Sequence, residues 1–284
     1  MAGGLGSRLQ PITKAMNKHL LPVYDKPLIY YSISTLLLSG IREIQIVSTQ
    51  QAINQFKDVF LDGGWLGCEI TYQVQLEPRG IADAVYSCKE FIGNSEIAVS
   101  LGDNIFHGVS LGTGLKNFRN IKGAQIFGYE VSNPSDYGVV EISHDGQVLS
   151  IAEKPPAPKS NLAIPGLYFY DSNAIDLIAT LDPSPRGELE ISDLNSKYLE
   201  LGLLNISILP RGTVWLDTGT VGSLHDAATY VRVIEERQGL KIGCIEEIVW
   251  RNGWISEMEL QRLSDLNSQN EYSAYLRQLL NENH

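Results

Sequence analysis

Three glycines in four residues, followed at once by a cation, open the chain: Gly3-Gly4-Leu5-Gly6-Ser7-Arg8. A backbone without Cβ atoms can close on an anion, so that its N–H groups reach phosphate oxygens. Arg8 adds a fork of charged donors that matches phosphate geometry. Spacing narrows the choice among phosphate loops. A dinucleotide fingerprint requires glycine at position 9, which is Leu9, and the chain has no Gly-Lys pair for a P-loop. By itself the loop is equally well a turn. Lys18, in Asn17-Lys18-His19-Leu20, brings a second cation to its neighbourhood.

Carboxylates supply the complementary signal. Leu101-Gly102-Asp103-Asn104 ends an apolar run with an acid, and in open α/β sheets ligands collect outside the carboxyl ends of strands. Asp217, in Trp215-Leu216-Asp217-Thr218-Gly219, is a second candidate far downstream. Magnesium takes oxygen ligands and usually binds one or two carboxylates together with substrate phosphates, so this pair suits Mg2+. Glu153-Lys154-Pro155 sets an acid able to accept sugar hydroxyls beside a cation able to neutralise a phosphate. Arg186-Gly187-Glu188-Leu189-Glu190-Ile191-Ser192-Asp193 reads either as a further cation site or as a helix start with acids at its positive end.

One motif points elsewhere. Gly108-Val109-Ser110-Leu111-Gly112 fits the nucleophile elbow of α/β-hydrolases, and the order Ser110, Asp217, His225 permits a triad. The elbow needs a strand running straight into it, whereas the preceding apolar run stops near Gly102, so hydrolysis is disfavoured. His19, His107 and His144 lack metal-ligand spacing.

The elements that must position these residues alternate along the first half. Glu43 to Ser48, Glu69 to Gln75 and Glu96 to Leu101 read as strands, with helical patterns near 51–60 and 80–92. Pro27 to Ser39 reads as a buried helix with proline at its start and Gly40 past its end. This rhythm predicts an α/β fold, Rossmann-like, with a mostly parallel sheet flanked by helices. From Ala124 the texture changes: strands at 124–131, 138–143 and 147–152, the last two joined through Asp145-Gly146, then a proline-rich loop at 155–165, a strand at 166–170, and helices near 172–180 and 189–201. The expected organisation is a core over 1–239, with a nucleotide side to about 123 and a sugar-binding subdomain over 124–239, and a helical C-terminal appendage over 240–284 suited to assembly or regulation.

Composition sets limits on partners. The chain has 284 residues, 43% of them hydrophobic, and a net charge of −11, which opposes non-specific binding to nucleic acid. Bound phosphates must then be held by a few placed cations. Three cysteines without a C-x-x-C pair disfavour a disulfide scaffold or a zinc site. The apolar run at 33–38 is too short to span a bilayer, and a signal-peptide pattern is lacking, so a cytoplasmic protein is expected.

Taken together, the motifs A-G-G-x-G-S-R-L, K-x-L-L-P-V-Y-D-K-P, L-G-D-N, Y-G-V-V-E, E-K-P, R-G-E-L-E-I-S-D and W-L-D-T-G run in order from Ala2 to about Trp254. This pattern closely resembles the glucose-1-phosphate thymidylyltransferase family, bacterial sugar nucleotidyltransferases of dTDP-rhamnose synthesis. The resemblance implies attack of glucose 1-phosphate on the α-phosphorus of dTTP, release of pyrophosphate and a need for Mg2+. It implies that Gly3, Gly4, Gly6, Ser7 and Arg8 hold the triphosphate, that Gln75 and Gly80 meet the base, and that Arg8, Lys18 and Lys154 are catalytic cations. It further implies that Asp103 and Asp217 hold the metal, and that Tyr137, Gly138, Glu153, Lys154, Tyr168 and Arg186 face the sugar phosphate. A homotetramer with a second, product-sensing nucleotide site is implied by the tail.

Three departures bear on base choice and packing. His19 stands where many relatives have Gln, Arg79 precedes Gly80 where an acidic or neutral residue is common, and Pro165 replaces a usual Thr. UTP is therefore an alternative to dTTP. The resemblance also implies a short apolar strand ahead of the glycine loop, whereas Met1 already lies in the loop, so the sequence is expected to begin internally with a central strand missing from the sheet.

Overall fold

A computed structural model describes residues 1–4, 6–109, 111–118, 120–266 and 269–282. Its first half follows the alternating pattern. Strand Glu43–Ser48 directs Ile44, Ile46 and Val47 into the core and pairs in parallel with Glu69–Val74, in register from Glu43 opposite Glu69 to Ser48 opposite Val74. Helix Ile53–Phe60 makes the crossover between them, burying Ile53, Phe56 and Phe60 on one face. Helix Ile29–Leu38 is buried on nearly every side, and Gly40, at φ +80°, ends it by donating to Leu37 O.

The larger sheet runs Ile97–Ser100, Leu167–Tyr170, Ala124–Glu130, Leu162–Ala163, Gly138–Ile142, Val148–Glu153, with Leu204–Ile208 joined in parallel to Ala124–Glu130. The α/β class read from the sequence holds, but the strands pair in mixed rather than mostly parallel directions. Gly138–Ile142 and Val148–Glu153 are hairpin neighbours and so antiparallel, and Leu167–Tyr170 inserts antiparallel between Ile97–Ser100 and Ala124–Glu130. Strand Asn104–His107 leaves this sheet and pairs antiparallel with Val214–Asp217. Its residues come from the stretch between Asp103 and the hydrolase-like motif, where no strand is expected from the sequence.

The segment near 80–92 forms two short helices, Ile81–Tyr86 and Lys89–Ile92, instead of one. Past Gly239 come helices Ile245–Arg251, Glu257–Asp265 and Glu271–Glu282. They share one buried cluster with the N-terminal half: Ile245, Val249, Leu260 and Leu276 lie with Ile33, Ile46, Phe56 and Phe60.

Met1 and Ala2 lie between two strands that do not pair with each other. The Met1 ammonium donates to Ser100 O at 2.7 Å, and Ala2 N donates to Val47 O at 2.7 Å. Below them, a cavity of about 160 Å³ is lined by Ile44, Val47, Ile97 and Val99 from the two strands and by Val85 and Leu36 from flanking helices. Burial lowers the Met1 amine to a pKa of about 6. Among the described residues, no helix is long and apolar enough to cross a membrane.

Candidate active site

The glycine loop turns into a single 3₁₀ turn, Ser7–Leu9, anchored by fully buried Leu9. Gly6 sits at φ +60°, and a Cβ there would meet Thr13 Cγ2 at 2.8 Å and Lys18 Cβ at 3.1 Å. Only glycine fits both the left-handed backbone and that approach. Thr13 Oγ1 donates to Gly6 O at 2.8 Å and holds the bend. The next 3₁₀ turn, Lys18–Leu20, is capped by Asn17, whose Oδ1 accepts from His19 N at 2.9 Å and lies 2.8 Å from His19 Nδ1. The His19 ring is wedged between the glycine loop and Gly102, where a Cβ would fall 2.7 Å from His19 Cδ2. Burial drives its pKa down to about 3, with Asp103 opposing and Lys18 assisting, so His19 is a neutral ring.

Lys18 points inward and pairs with Asp103 Oδ2, the two side chains being 9% and 19% exposed. Asp103 Oδ1 also accepts from Asn104 Nδ2 at 2.8 Å. Burial alone would raise the Asp103 carboxyl, but the Lys18 ammonium overcomes it and holds it well below the usual range.

Backbone pairing brings Asp217 to the same place. Asp217 is opposite Asn104 in the strand pair, and Thr218, fully buried, donates to Asp103 O through both N (3.1 Å) and Oγ1 (2.9 Å). Two acids far apart in sequence are thus brought together through the residue next to each, Asn104 and Thr218. Burial first, and then the Asp103 charge, raise the Asp217 carboxyl above its usual value. A Cβ on Gly219 would lie 3.0 Å from both Arg8 Nη2 and Asp217 Oδ2, so glycine lets the guanidinium and carboxylate converge there.

The residues singled out from the sequence line two adjoining cavities. One, of about 600 Å³, is bordered by Gly3, Gly4, Gly6, Ser7 and Arg8, and close to the loop by Gln75 and Gly80; Lys18, Asp103, Lys154 and Arg186 reach it as well. The other, of about 180 Å³, is lined by Tyr137, Gly138, Tyr168 and Asp217. Arg8, Asp103, Glu153 and Lys154 border both.

On this second side, Lys154 takes a left-handed backbone at φ +43° and donates its N–H to Tyr137 O at 3.0 Å. That conformation is costly for a non-glycine residue, by on the order of 1 kcal/mol, and aims its side chain at the junction of the cavities. Burial, with the nearby Glu190 charge, raises Glu153, while Lys154 and Arg186 oppose the rise. Arg186 is engaged chiefly by Glu190, at 2.7 Å from Nη2 and 3.2 Å from Nε, with Glu153 and Glu188 each at 3.8 Å. Tyr168 is buried and stacks on Tyr170.

Several participants escape a reading of the sequence. Asn104 is 3% exposed, and its Oδ1 accepts from Trp215 Nε1 at 2.6 Å and Gly166 N at 3.0 Å, locking three segments around the acids. Trp215 in turn packs edge-on against Tyr137 at 5.0 Å. The Asn next to Asp103 and the Trp two residues before Asp217 were the available signals. Gly219 and Glu190 had only their motif membership. Ser110 of the hydrolase-like motif lies outside the described residues. His225 is exposed on helix Val221–Gln238, and Asp217 belongs to the cavity described above. His107 is taken up by Tyr230, 2.7 Å from Nδ1. Among the described residues no group of three or more His, Cys, Asp or Glu side chains is placed to hold a metal.

A glycine loop, one buried lysine among more exposed cations, and two linked acids over paired cavities define a site for anionic substrates. The chain belongs to the nucleotidyl transferase family, whose model matches residues 1–233. Within it, the chain is 49% identical to the glucose-1-phosphate thymidylyltransferase of Mycobacterium tuberculosis over 283 residues, covering 100% of this chain and 98% of that protein. It is 49% identical to the enzyme of the same name from Neisseria meningitidis over 281 residues, 99% of this chain and 98% of the relative. A solved structure from Bacillus anthracis, assigned as a glucose-1-phosphate thymidylyltransferase and crystallised with sucrose, superposes with a TM-score of 0.75 at 39% identity, over 81% of this chain and 93% of that one. A UDP-glucose pyrophosphorylase in complex with UDP-glucose shares the fold, with a TM-score of 0.73 at 23% identity over 82% and 97% of the two chains.

Proposed function

We propose that this nucleotidyltransferase condenses dTTP with α-D-glucose 1-phosphate to give dTDP-glucose and pyrophosphate. The observation that carries the reading is the linked pair Asp103 and Asp217, set beside Lys18 and Arg8 where the two cavities meet. A phosphate oxygen of the sugar phosphate attacks the α-phosphorus, a new P–O bond forms, and the bridge to the β-phosphate breaks in line with it. No proton need move and no side chain need be a nucleophile. The work of the protein is alignment of two anions and neutralisation of their charge.

In this account the glycine loop and Arg8 grip the triphosphate, Lys18 stays on the acids and limits their repulsion, and Lys154 neutralises charge between the two substrates. Tyr137, Gly138, Glu153 and Tyr168 receive the sugar, with Arg186 at its edge. Enzymes of this family typically use a divalent metal. The oxygen-only donor set of Asp103 and Asp217 fits magnesium, with substrate phosphates completing the shell. Bound there, magnesium would supply positive charge to the phosphate oxygens as the bond order shifts. A homotetrameric, cytoplasmic enzyme feeding dTDP-rhamnose synthesis completes the reading, as the motif resemblance to the thymidylyltransferase family implies.

The test is pyrophosphate release from dTTP, glucose 1-phosphate and magnesium. Asp103→Asn is expected to lower kcat by on the order of 10²- to 10³-fold with little change in nucleotide binding. Undiminished turnover in that variant would remove Asp103 from the site.

A further inference from the structure

The wall of the larger cavity beside the glycine loop carries a side chain whose orientation is dictated by its neighbours. Gln75 follows strand Glu69–Val74, and its main chain donates to Ser48 O at 2.9 Å. Its carboxamide has one accepting end and one donating end. Nε2 donates to Gly80 O at 3.1 Å and to Asp83 Oδ2 at 2.9 Å. A carbonyl and a carboxylate both offer lone pairs only, so a flipped amide would face Oε1 with two acceptors. The chemistry of the partners therefore fixes the assignment.

Both partners are themselves held. Gly80 has φ +100°, and a Cβ there would fall 2.3 Å from Leu189 O, so its carbonyl is fixed by a backbone that only glycine allows. Asp83 lies in the first turn of helix Ile81–Tyr86, its side chain 21% exposed, with Arg79 Nε 3.8 Å from its other oxygen. With both donors of Gln75 engaged, Oε1 is the end left facing the loop, 3.1 Å from where a Cβ on Gly3 would sit.

We propose that Asp83 is a specificity-determining positioning residue: it holds Gln75 as a hydrogen-bond acceptor toward the nucleobase, selecting bases that present a ring N–H. Thymine and uracil carry that donor at N3, whereas cytosine carries a lone pair there and would face Oε1 acceptor to acceptor. The thymine methyl plays no part in this bond, so the device admits thymine and uracil alike and excludes cytosine. This rests on the reading of the cavity as a nucleoside triphosphate site.

Equilibrium titration of the full chain with dTTP, dUTP and dCTP in the presence of magnesium tests it. The unaltered protein is expected to bind dTTP and dUTP at least about tenfold more tightly than dCTP, the ratio one well-made hydrogen bond supports. Asp83→Asn, whose amide can donate to Gln75 Oε1 and so release the opposite orientation, is expected to compress the dTTP to dCTP ratio about tenfold. Asp83→Glu, which keeps an acceptor-only group, is expected to retain more of it. A merely structural role for Asp83 would weaken all three nucleotides together and leave the ratio unchanged, and that result overturns the proposal. So does equal binding of dTTP and dCTP by the unaltered protein, which needs no variant to fold. Failure of every triphosphate to bind would instead sink the reading of the cavity itself, and the proposal with it.

Discussion

Lys18 and Arg186 each set a cation against carboxylates at the edge of the same cavity, but Lys18 is 9% exposed and Arg186 is 47% exposed. Lys18 meets an acid whose main chain is clamped by Thr218 and whose other oxygen is held by Asn104. Arg186 is shared among Glu153, Glu188 and Glu190, with two hydrogen bonds to Glu190 and contacts at 3.8 Å to each of the others. The buried pair is geometrically committed, as its proposed place beside a reacting phosphate requires. The half-exposed fork can exchange carboxylates for a substrate anion at little cost, since screened pairs of this sort contribute only about 0–1 kcal/mol.

The largest expected effect is at the committed pair. Lys18→Met leaves Asp103 without its ammonium and should lower kcat by on the order of 10³-fold. Removing one partner of a buried pair should also cost roughly 2–4 kcal/mol in urea denaturation, the lower end applying because Asp103 keeps some exposure. Next comes Gly219→Ala, whose Cβ would press on Arg8 and Asp217. A loss of about tenfold in kcat with near-normal stability is expected, since small displacements of aligned groups are costly to rate. Normal turnover in Gly219→Ala would show that Arg8 and Asp217 do not need to converge.

Arg186→Ala should be milder. It is expected to raise KM for glucose 1-phosphate several-fold, on the order of one charge-assisted hydrogen bond, while KM for dTTP and the urea midpoint stay nearly constant. A stability loss matching that of Lys18→Met would erase the contrast between the two clusters.

How much of this was legible in the sequence follows from what each feature depends on. Gly6, Asp103 and Asp217 were found because each marks a local event: a left-handed turn or an acid at the end of an apolar run. The pairing of Asn104–His107 with Val214–Asp217 was not, because the two strands are short and distant, and neither carries a periodic pattern long enough to predict its partner. The mixed strand directions were missed for a related reason. Alternating helices and strands imply parallel pairing, but Leu167–Tyr170 follows Leu162–Ala163 without a crossover helix and, like it, pairs antiparallel with Ala124–Glu130. Lys18 reads in the sequence as a cation for phosphate, and its pairing with Asp103 depends on a fold that closes the distance. The lock on Gln75 by Asp83 was invisible for the same reason, although both residues lie within one short stretch.

The smallest expected effect concerns His19, which sits beside the committed pair as a neutral ring. Its folded pKa of about 3 lies below the ordinary 6.5, so the unfolded chain binds the extra proton first as pH falls. Its contribution is fully present above pH 6.5 and is lost progressively between about 6.5 and 3. Urea denaturation at pH 7.5 and 5.5 should show a loss of about 1 kcal/mol that is reduced in His19→Gln. An identical pH dependence in the two proteins would mean that the ring titrates normally.

Under the proposed function, the nucleotidyl group passes directly to a bound sugar phosphate by alignment alone. Rapid mixing of the enzyme with excess glucose 1-phosphate, magnesium and dTTP labelled at the α-phosphorus, quenched within one turnover, tests it. The label should pass from dTTP into dTDP-glucose in step with pyrophosphate release, with none attached to the protein. Label trapped on the chain, or pyrophosphate released before any sugar nucleotide forms, would contradict the account.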